Sequence, residues 1–596
     1  MYIYDQMGIR IAFDGGILCI DSKVLTLRID GNSGVMTADG CRWNFVQPEA
    51  ILSVSAAEAD NNGRSEPHVR LTLQTASGSE NWTLFPDQPF ICTDCHPDGR
   101  VFSLNTRHIQ ITSVELVDKT DYHDSLVKTE VHQYYKKHTA RGNMFLLEDA
   151  PGNRGLLLVK HAPCPDSAVR RAEADLLADS GGNVVLYGCR YGAAYGAGQP
   201  EKLFAAYRRL YRKLCCQPAV SFIMSNTWGD RSRDAAMRED FVLRELECAH
   251  ELGVDIVQLD DGWQKGISSN SVHAVEQGGV FEGFYAFDPD FWSLDPVKFP
   301  GGMDVILEKA ESLGIDMGLW FAPDSSEDFG NWEKDVDVVR TMVERHGAKY
   351  IKLDGVVLRS EACEKNYLSM LDAISTLNNG NLQFNLDITN DERLGYFCGI
   401  PYGTLFVENR YSDWKNYYPH NTLRNLWQLS AYVPAVKFQF EVLNPRRNAE
   451  LYGDDPLAPD TYDIDWLFAS VMPANPLIWM EMQHLTPDDA EALRKIIAVY
   501  REHRAAMSIM EVSPIGMMPN GVNWTGFHWE GENGGYLVVL RGITENDTFG
   551  YTLPGTGKKY ELLHSNTEAS LTETEAGLKV TLAKKRGYAF VRYTNR

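Results

Sequence analysis

Apolar and polar positions alternate over short runs through the first third of the chain. IRIAFDGGILCI, VLTLRI, VRLTLQT, IQITSVELV, MFLLEDA, GLLLVKHA and NVVLYGCRYG are rich in Val, Ile, Leu and Tyr and are separated by Gly, Asn, Asp and Pro. A period of two bounded by turn residues marks strands, and many short strands at this spacing predict a large β-sandwich. Past residue 200 the period lengthens, and EKLFAAYRRLYRKL predicts a linker helix. From Ser221 onward apolar runs alternate with amphipathic stretches. The runs are SFIMSNTW, DIVQLDDGW, DMGLWFAP, KYIKLDG, LQFNLDIT, TLFVENRYSDW, VKFQF and PLIWME, and helical patterns such as REDFVLRELECAHELG, GGMDVILEKAESLG, VDVVRTMVERHG and EKNYLSMLDAISTLN lie between most of them. Eight β-to-α units over roughly 290 residues predict a (β/α)8 TIM barrel carrying insertions. After PDDAEALRKIIAVYREHRAAM the strand pattern returns in GYLVVLRG, FGYTL, KYELLH, LKVTLA and YAFVRY, which predicts a small antiparallel β-sandwich. The expected division is residues 1–215 for the N-terminal β-sandwich with its linker helix, 216–505 for the barrel and 506–596 for the C-terminal β-sandwich.

A chain of 596 residues exceeds what one hydrophobic core holds, which agrees with this multidomain reading. Its 57 Lys and Arg stand against 81 Asp and Glu, a formal charge of −24. Such a surface repels phosphate backbones, so nucleic acid is not an expected partner and a neutral substrate is. No stretch approaches the ~20 apolar residues of a membrane span. The opening MYIYDQMGIRIAFDGG lacks a basic n-region followed by an apolar h-region, so a cytoplasmic location is the expectation. The 11 Cys are scattered, with Cys215 and Cys216 adjacent, which argues for a reducing compartment rather than a disulfide framework. Cys92, Cys95 and His96 form a lone C-x-x-C-H without a second ligand pair, so no metal and no cofactor is expected.

Functional side chains of such a barrel come from the C-terminal ends of its strands. Those ends hold Trp228, then Asp260, Asp261 and Trp263, then Trp320, then Lys352 and Asp354, then Asn385 and Asp387, then Arg410 and Asp413. A single Asp at a strand end is commonly a helix cap, but six consecutive ends of carboxylates, cations and tryptophans are not explained that way. The excess length between Asp261 and Trp320 lies in KGISSNSVHAVEQGGVFEGFYAFDPDFWSLDPVKFPGG, expected to wall or cover the site. Separate carboxylates with tryptophan faces suit a sugar pocket in which one carboxyl attacks and another donates a proton. No nucleophile elbow, Walker loop or dinucleotide fingerprint accompanies any strand end.

The ordered motifs SNTWGD, VQLDDGWQ, KFPGGM, MGLWFAPD and YIKLDG resemble those of the melibiase-type α-galactosidases and the related raffinose synthases. The resemblance covers the barrel from about Ser221 to Asp413, and the flanking sandwiches match that family's three-domain plan. It implies a retaining α-glycosidase with Asp354 as nucleophile and Asp413 in RYSDW as general acid/base. Lys352, two residues before Asp354 on one strand face, would keep that carboxylate ionised. Asp260 and Asp261 would both turn into the pocket to grip sugar hydroxyls, Trp228 and Trp320 would close the apolar face of the ring, Trp263 would belong to the substrate-binding set, and Arg410 would contact sugar and nucleophile. Asn385 and Asp387 would line the pocket around the 2-position of the sugar. The substrate is then an oligosaccharide or glycoside, and relatives of this size assemble as dimers or tetramers, so a homo-oligomer is expected.

Where the family carries a Cys-Ser-Ser-Gly-Gly-Gly-Arg stretch on the fifth strand end, this chain has FNLDITNDERLGYF with Asn385, Asp387, Asn390 and Arg393. That loop borders the 2-position of the sugar. Relatives of galactose, namely an α-N-acetylgalactosaminide or a β-L-arabinopyranoside, therefore stand beside α-galactose as substrates. A raffinose-synthase-like transglycosylase and an inactive galactoside-binding protein are the further alternatives.

Overall fold

The computed structural model describes residues 2–30, 33–47, 49–60, 65–94, 100–103, 108–117, 120–133, 137–161, 174–189, 191–215, 221–390, 393–553 and 557–595. The chain divides into two compact units. The first comprises Met1–Asp118, Leu126–Gln217 and Asp391–Pro401. It holds a ten-stranded and a nine-stranded antiparallel sheet. Alternating residues of both, among them Ile11, Leu27 and Trp43 from one and Leu71, Trp82 and Leu158 from the other, meet in a single dry core. This is the sandwich that the period of two predicts. The linker helix, Pro200–Leu214, buries Leu203, Ala206, Tyr207, Leu210 and Tyr211 on one face, as its helical period requires. Cys92 is buried in this unit and its thiol is pushed up to about 12 by burial, while Cys95 and His96 lie outside the described residues.

The second unit comprises Lys119–Ser125, Pro218–Asn390 and Tyr402–Arg596. Its centre is a closed barrel of parallel strands, named here β1 (Met224–Asn226), β2 (Ile256–Leu259), β3 (Asp316–Phe321), β4 (Tyr350–Leu353), β5 (Gln383–Asp387), β6 (Thr404–Phe406), β7 (Phe438–Val442) and β8 (Asn475–Ile478). β8 pairs back to β1 through Met224 with Leu477 and Ser225 with Ile478, which closes the ring. Six of them fall within the apolar runs read from the sequence, and β7 and β8 overrun theirs by two residues and one. Helices Glu239–Leu252, Gly302–Leu313, Trp332–Glu344 and Glu361–Ile374 follow β1 to β4. β5 is followed instead by the single turn Gly395–Cys398. The long insertion after β2 carries two four-residue helical turns, Ala274–Gln277 and Phe284–Phe287.

Beyond the helix Pro487–Ser508, a five-stranded and a three-stranded sheet pack face to face around Leu537, Val539, Leu578, Val580 and Val591. Tyr588 OH donates to Asp465 Oδ2 at 3.3 Å and Asn566 Nδ2 to Asp463 Oδ2 at 2.9 Å, so this sandwich is tied to the barrel helix Ile464–Val471. Among the described residues no helix is long and apolar enough to cross a membrane.

Candidate active site

Lys352 stands at the centre of the barrel's C-terminal rim. Its Nζ donates to Asp260 Oδ2 at 3.0 Å and lies 3.9 Å from Asp354 Oδ2. Phe406 at the end of β6 and Trp479 just beyond β8 offer ring faces to the same ammonium, with centroids 4.7 and 5.1 Å away. Burial acts to strip the proton from a lysine. Here Asp260, Asp354 and Asp387 outweigh that effect and hold Lys352 above its ordinary pKa. The ammonium is therefore present at neutral pH.

Asp354 follows β4. Its backbone N–H donates to Phe321 O at 3.0 Å, its Oδ1 accepts from Gly355 N at 2.6 Å and its Oδ2 from Trp320 Nε1 at 3.1 Å. The Asp354 side chain is 19% exposed and that of Asp260 only 3%, so Asp354 is the more accessible carboxylate of the cluster. Trp320 is buried, with its ring 5.7 Å from Trp292 and 6.3 Å from Phe281 of the β2 insertion. Trp263 stands behind it, donating from Nε1 to Trp320 O at 3.0 Å and packing on Trp292. Trp263, expected in the substrate-binding set, is thus a support for Trp320. Trp228 belongs to the apolar cluster of Met224, Phe406, Tyr411 and Trp479. Next to it a Cβ on Gly229 would fall 2.1 Å from the carbonyl carbon of Trp479, so only glycine lets the β1 and β8 ends approach this closely.

The adjacent carboxylates part company. Asp260 faces Lys352, whereas Asp261, expected in the pocket, is turned into the β2 insertion, where it accepts from Gln264 Nε2 at 2.7 Å and from Ser268 Oγ. Gly262 makes the turn at φ +109°, a conformation closed to residues with a side chain, and a Cβ there would meet Asp234 Cβ at 2.4 Å. Burial pushes the Asp261 carboxyl up to about 7.

Below the ions lies a layer of amides. Asn226 Nδ2 donates to Asp260 Oδ2 at 2.7 Å and to Gln258 Oε1 at 2.9 Å. Gln258 Nε2 donates to Asn385 Oδ1 at 3.0 Å, and Asn385 Nδ2 to Gln439 Oε1 at 2.8 Å and Thr404 Oγ1 at 3.0 Å. Asn385, expected on the pocket wall, is consumed by this layer. Asp387 sits higher on β5, with Oδ1 accepting from the N–H and the hydroxyl of Thr389, both at 2.8 Å.

Asp413 is half-buried in the turn after β6. Asn448 Nδ2 donates to Ser412 Oγ at 2.8 Å and Tyr411 N to Asn416 Oδ1 at 2.7 Å, which fixes that turn on both sides. Arg410, expected at the sugar, is turned away. Its Nη2 donates to the carbonyls of Thr120 at 3.1 Å and His123 at 2.8 Å, its Nε lies 3.9 Å from Glu408 Oε1, and its backbone N–H meets the Glu441 carboxylate. The two backbone carbonyls hold the guanidinium where it is, with the buried Glu408 carboxylate beside it. Trp479, Phe406 and the amides of Asn226, Gln258 and Gln439 are the site residues that strand-end reasoning passes over. Trp479 directly follows β8 within the run PLIWME, so the same rule applied to the eighth strand finds it. Among the described residues no group of His, Cys, Asp and Glu is arranged to hold a metal ion.

No family model matches the chain. It is 31% identical over 99 residues to α-galactosidase 2 of Pediococcus pentosaceus, which is 17% of this chain and 11% of that protein. To the α-galactosidase of Escherichia coli it is 27% identical over 85 residues, 14% of this chain and 10% of that protein. The chain thus spans about a tenth of the length of the curated relatives it matches. Its fold extends the likeness. The GH36 α-galactosidase AgaA of Geobacillus stearothermophilus, crystallised as a variant with raffinose, superposes with a TM-score of 0.62 at 12% identity over 91% of this chain and 87% of that one. The α-galactosidase of Lactobacillus brevis gives 0.62 at 11% identity over 99% and 88% of the two chains. A stretch of shared sequence and an architecture common to nearly the whole length make this chain similar to the α-galactosidases in part of its sequence and in its fold.

Proposed function

We propose that the chain is a retaining α-glycoside hydrolase that releases terminal α-galactose-like sugars through a covalent glycosyl-Asp354 intermediate. The observation that carries this reading is the Lys352–Asp354 pair. A partly exposed carboxylate at the barrel rim, bonded by Trp320 Nε1 and Gly355 N and 3.9 Å from a buried ammonium, is held as the anion a nucleophile must be. Asp413 protonates the glycosidic oxygen as its bond to the anomeric carbon breaks, and Asp354 attacks that carbon. Asp413, now the base, takes a proton from water, which displaces Asp354 and leaves the sugar with its original configuration. Asp260, positioned by Asn226 and Lys352, accepts from sugar hydroxyls, Trp320 and Trp228 shape the apolar side, and Asp387 borders the part of the ring where the sequence departs from the family. α-Galactose is favoured because the curated relatives are α-galactosidases and solved neighbours hold raffinose and stachyose.

The same proposal takes the boundaries near residues 215 and 505 as domain limits, and places a homo-oligomer in the cytoplasm. The free cysteines among the described residues support that compartment. The test is hydrolysis of 4-nitrophenyl α-galactoside followed by NMR, with Asp354→Asn beside the wild type. Expected are α-galactose as first product and a folded variant without turnover. β-Galactose as first product, or wild-type rates in the variant, would sink the mechanism. Products that incorporate an added acceptor sugar in preference to water would move the assignment to a transglycosylase.

A further inference from the structure

Trp414, the residue after Asp413, leaves 55% of its surface exposed, an unusual state for the largest apolar side chain. Its position is not that of a stray surface residue. The Trp414 ring packs edge-on against Tyr411 with centroids 5.1 Å apart, Tyr411 lies 6.2 Å from Trp479, and Trp479 lies 5.1 Å from Lys352 Nζ. A ladder of rings therefore climbs from the ammonium beside Asp354 to the rim, and Trp414 is its outer rung. The base of that rung is fixed. Ser412 and Tyr411 are hydrogen-bonded to Asn448 and Asn416, and Lys415 closes the turn at φ +56°. A ring fixed before binding loses little freedom when a ligand stacks on it.

Given the reaction proposed above, on which this inference rests, the leaving group emerges on the side from which Asp413 delivers its proton. We propose that Trp414 is the stacking platform of a leaving-group subsite that takes a flat ring, a pyranose or an aryl group, by its C–H or π face. Indole attracts such faces through dispersion and its ring quadrupole and asks for no particular hydroxyl pattern. The subsite therefore selects for a ring in the aglycone and tolerates many kinds of ring.

The experiment compares the full chain with Trp414→Ala and Trp414→Phe on 4-nitrophenyl α-galactoside and on α-galactosyl fluoride, whose leaving group has no ring. The quantity read is the ratio of the two kcat/KM values. It is expected to fall about tenfold in Trp414→Ala and to recover most of the way in Trp414→Phe. Losses of equal size on both substrates would assign Trp414 to the fold of the Asp413 turn and overturn the inference. So would an unchanged ratio, or a change in oligomeric mass that places Trp414 between subunits. A wild-type chain that leaves the fluoride intact would overturn the proposed hydrolysis itself, and this inference with it.

Discussion

Replacing Lys352 with Met removes a buried cation while keeping most of its volume, and its consequences can be worked from two distances. Nζ lies 3.9 Å from Asp354 Oδ2 and 3.0 Å from Asp260 Oδ2. Unit charges about 4 Å apart interact by about 1 kcal/mol in bulk water and about 4 kcal/mol at an effective dielectric of ~20. Asp354, 19% exposed, falls between these limits. Without that interaction its carboxyl is easier to protonate in the variant. The acid limb of the kcat/KM profile reports the nucleophile of the free enzyme, so that limb should move toward neutrality. Stability is affected separately. Asp260 is left buried without its cation, a loss of about 3–5 kcal/mol by analogy with other broken buried pairs. Because Lys352 is held above its ordinary pKa, its contribution is complete below the unfolded lysine value and fades only as pH rises through the folded one. The gap in melting temperature between wild type and variant should therefore persist to pH 9 and widen from acid toward neutral pH, because Asp260 and Asp354 in the variant lack the cation that favours their ionised forms. A folded Lys352→Met protein whose acid limb coincides with that of the wild type would refute the electrostatic role.

Asp230, Glu245, Asp261 and Asp335 are each pushed up to about 7, in every case chiefly by burial. Their folded pKa values exceed the unfolded ones, so the native state holds their protons between about pH 4 and 7 and stability falls as pH rises through that window. Thermal melts should show a higher midpoint at pH 5.5 than at pH 7.5, and Asp261→Asn should flatten part of that slope; a midpoint that climbs with pH would contradict this. Gly229→Ala forces a methyl to within 2.1 Å of the Trp479 backbone, which cannot retreat as a side chain could. A loss of about 1–3 kcal/mol in urea unfolding, with lowered kcat, is expected; unchanged stability would mean that the β1 and β8 ends are free to separate.

What the sequence makes legible is what depends on local period. Apolar runs of strand length separated by amphipathic helices require no knowledge of partners, and each of the eight barrel strands coincides with one of them to within two residues. Lys352 and Asp354 were legible for a related reason, since Asp354 directly follows β4 and the alternation of that strand carries one residue past its end to the face of Lys352. β5 is harder, because its run is followed by one helical turn rather than the full helix the alternating pattern implies.

The side chains that depart from expectation lie beyond the strand ends or find partners that no local pattern names. Asp261 follows β2, where alternation no longer dictates direction, and Gly262 sends it toward Gln264 and Ser268. Arg410 is decided by partners distant in sequence. Glu408 is close in sequence, but Glu441 and the carbonyls of Thr120 and His123 arrive from β7 and from a segment nearly three hundred residues earlier. Asn385 belongs to a polar layer spread over five strands, visible only once the barrel closes. In each case a buried polar group satisfies its hydrogen bonds with protein before it can serve a ligand, because leaving them unmade costs about 1–3 kcal/mol. The residues left facing the pocket are those whose best partner is an ion already there. Asp260 and Asp354 around Lys352 meet that condition, and Asn385, Asp261 and Arg410 do not.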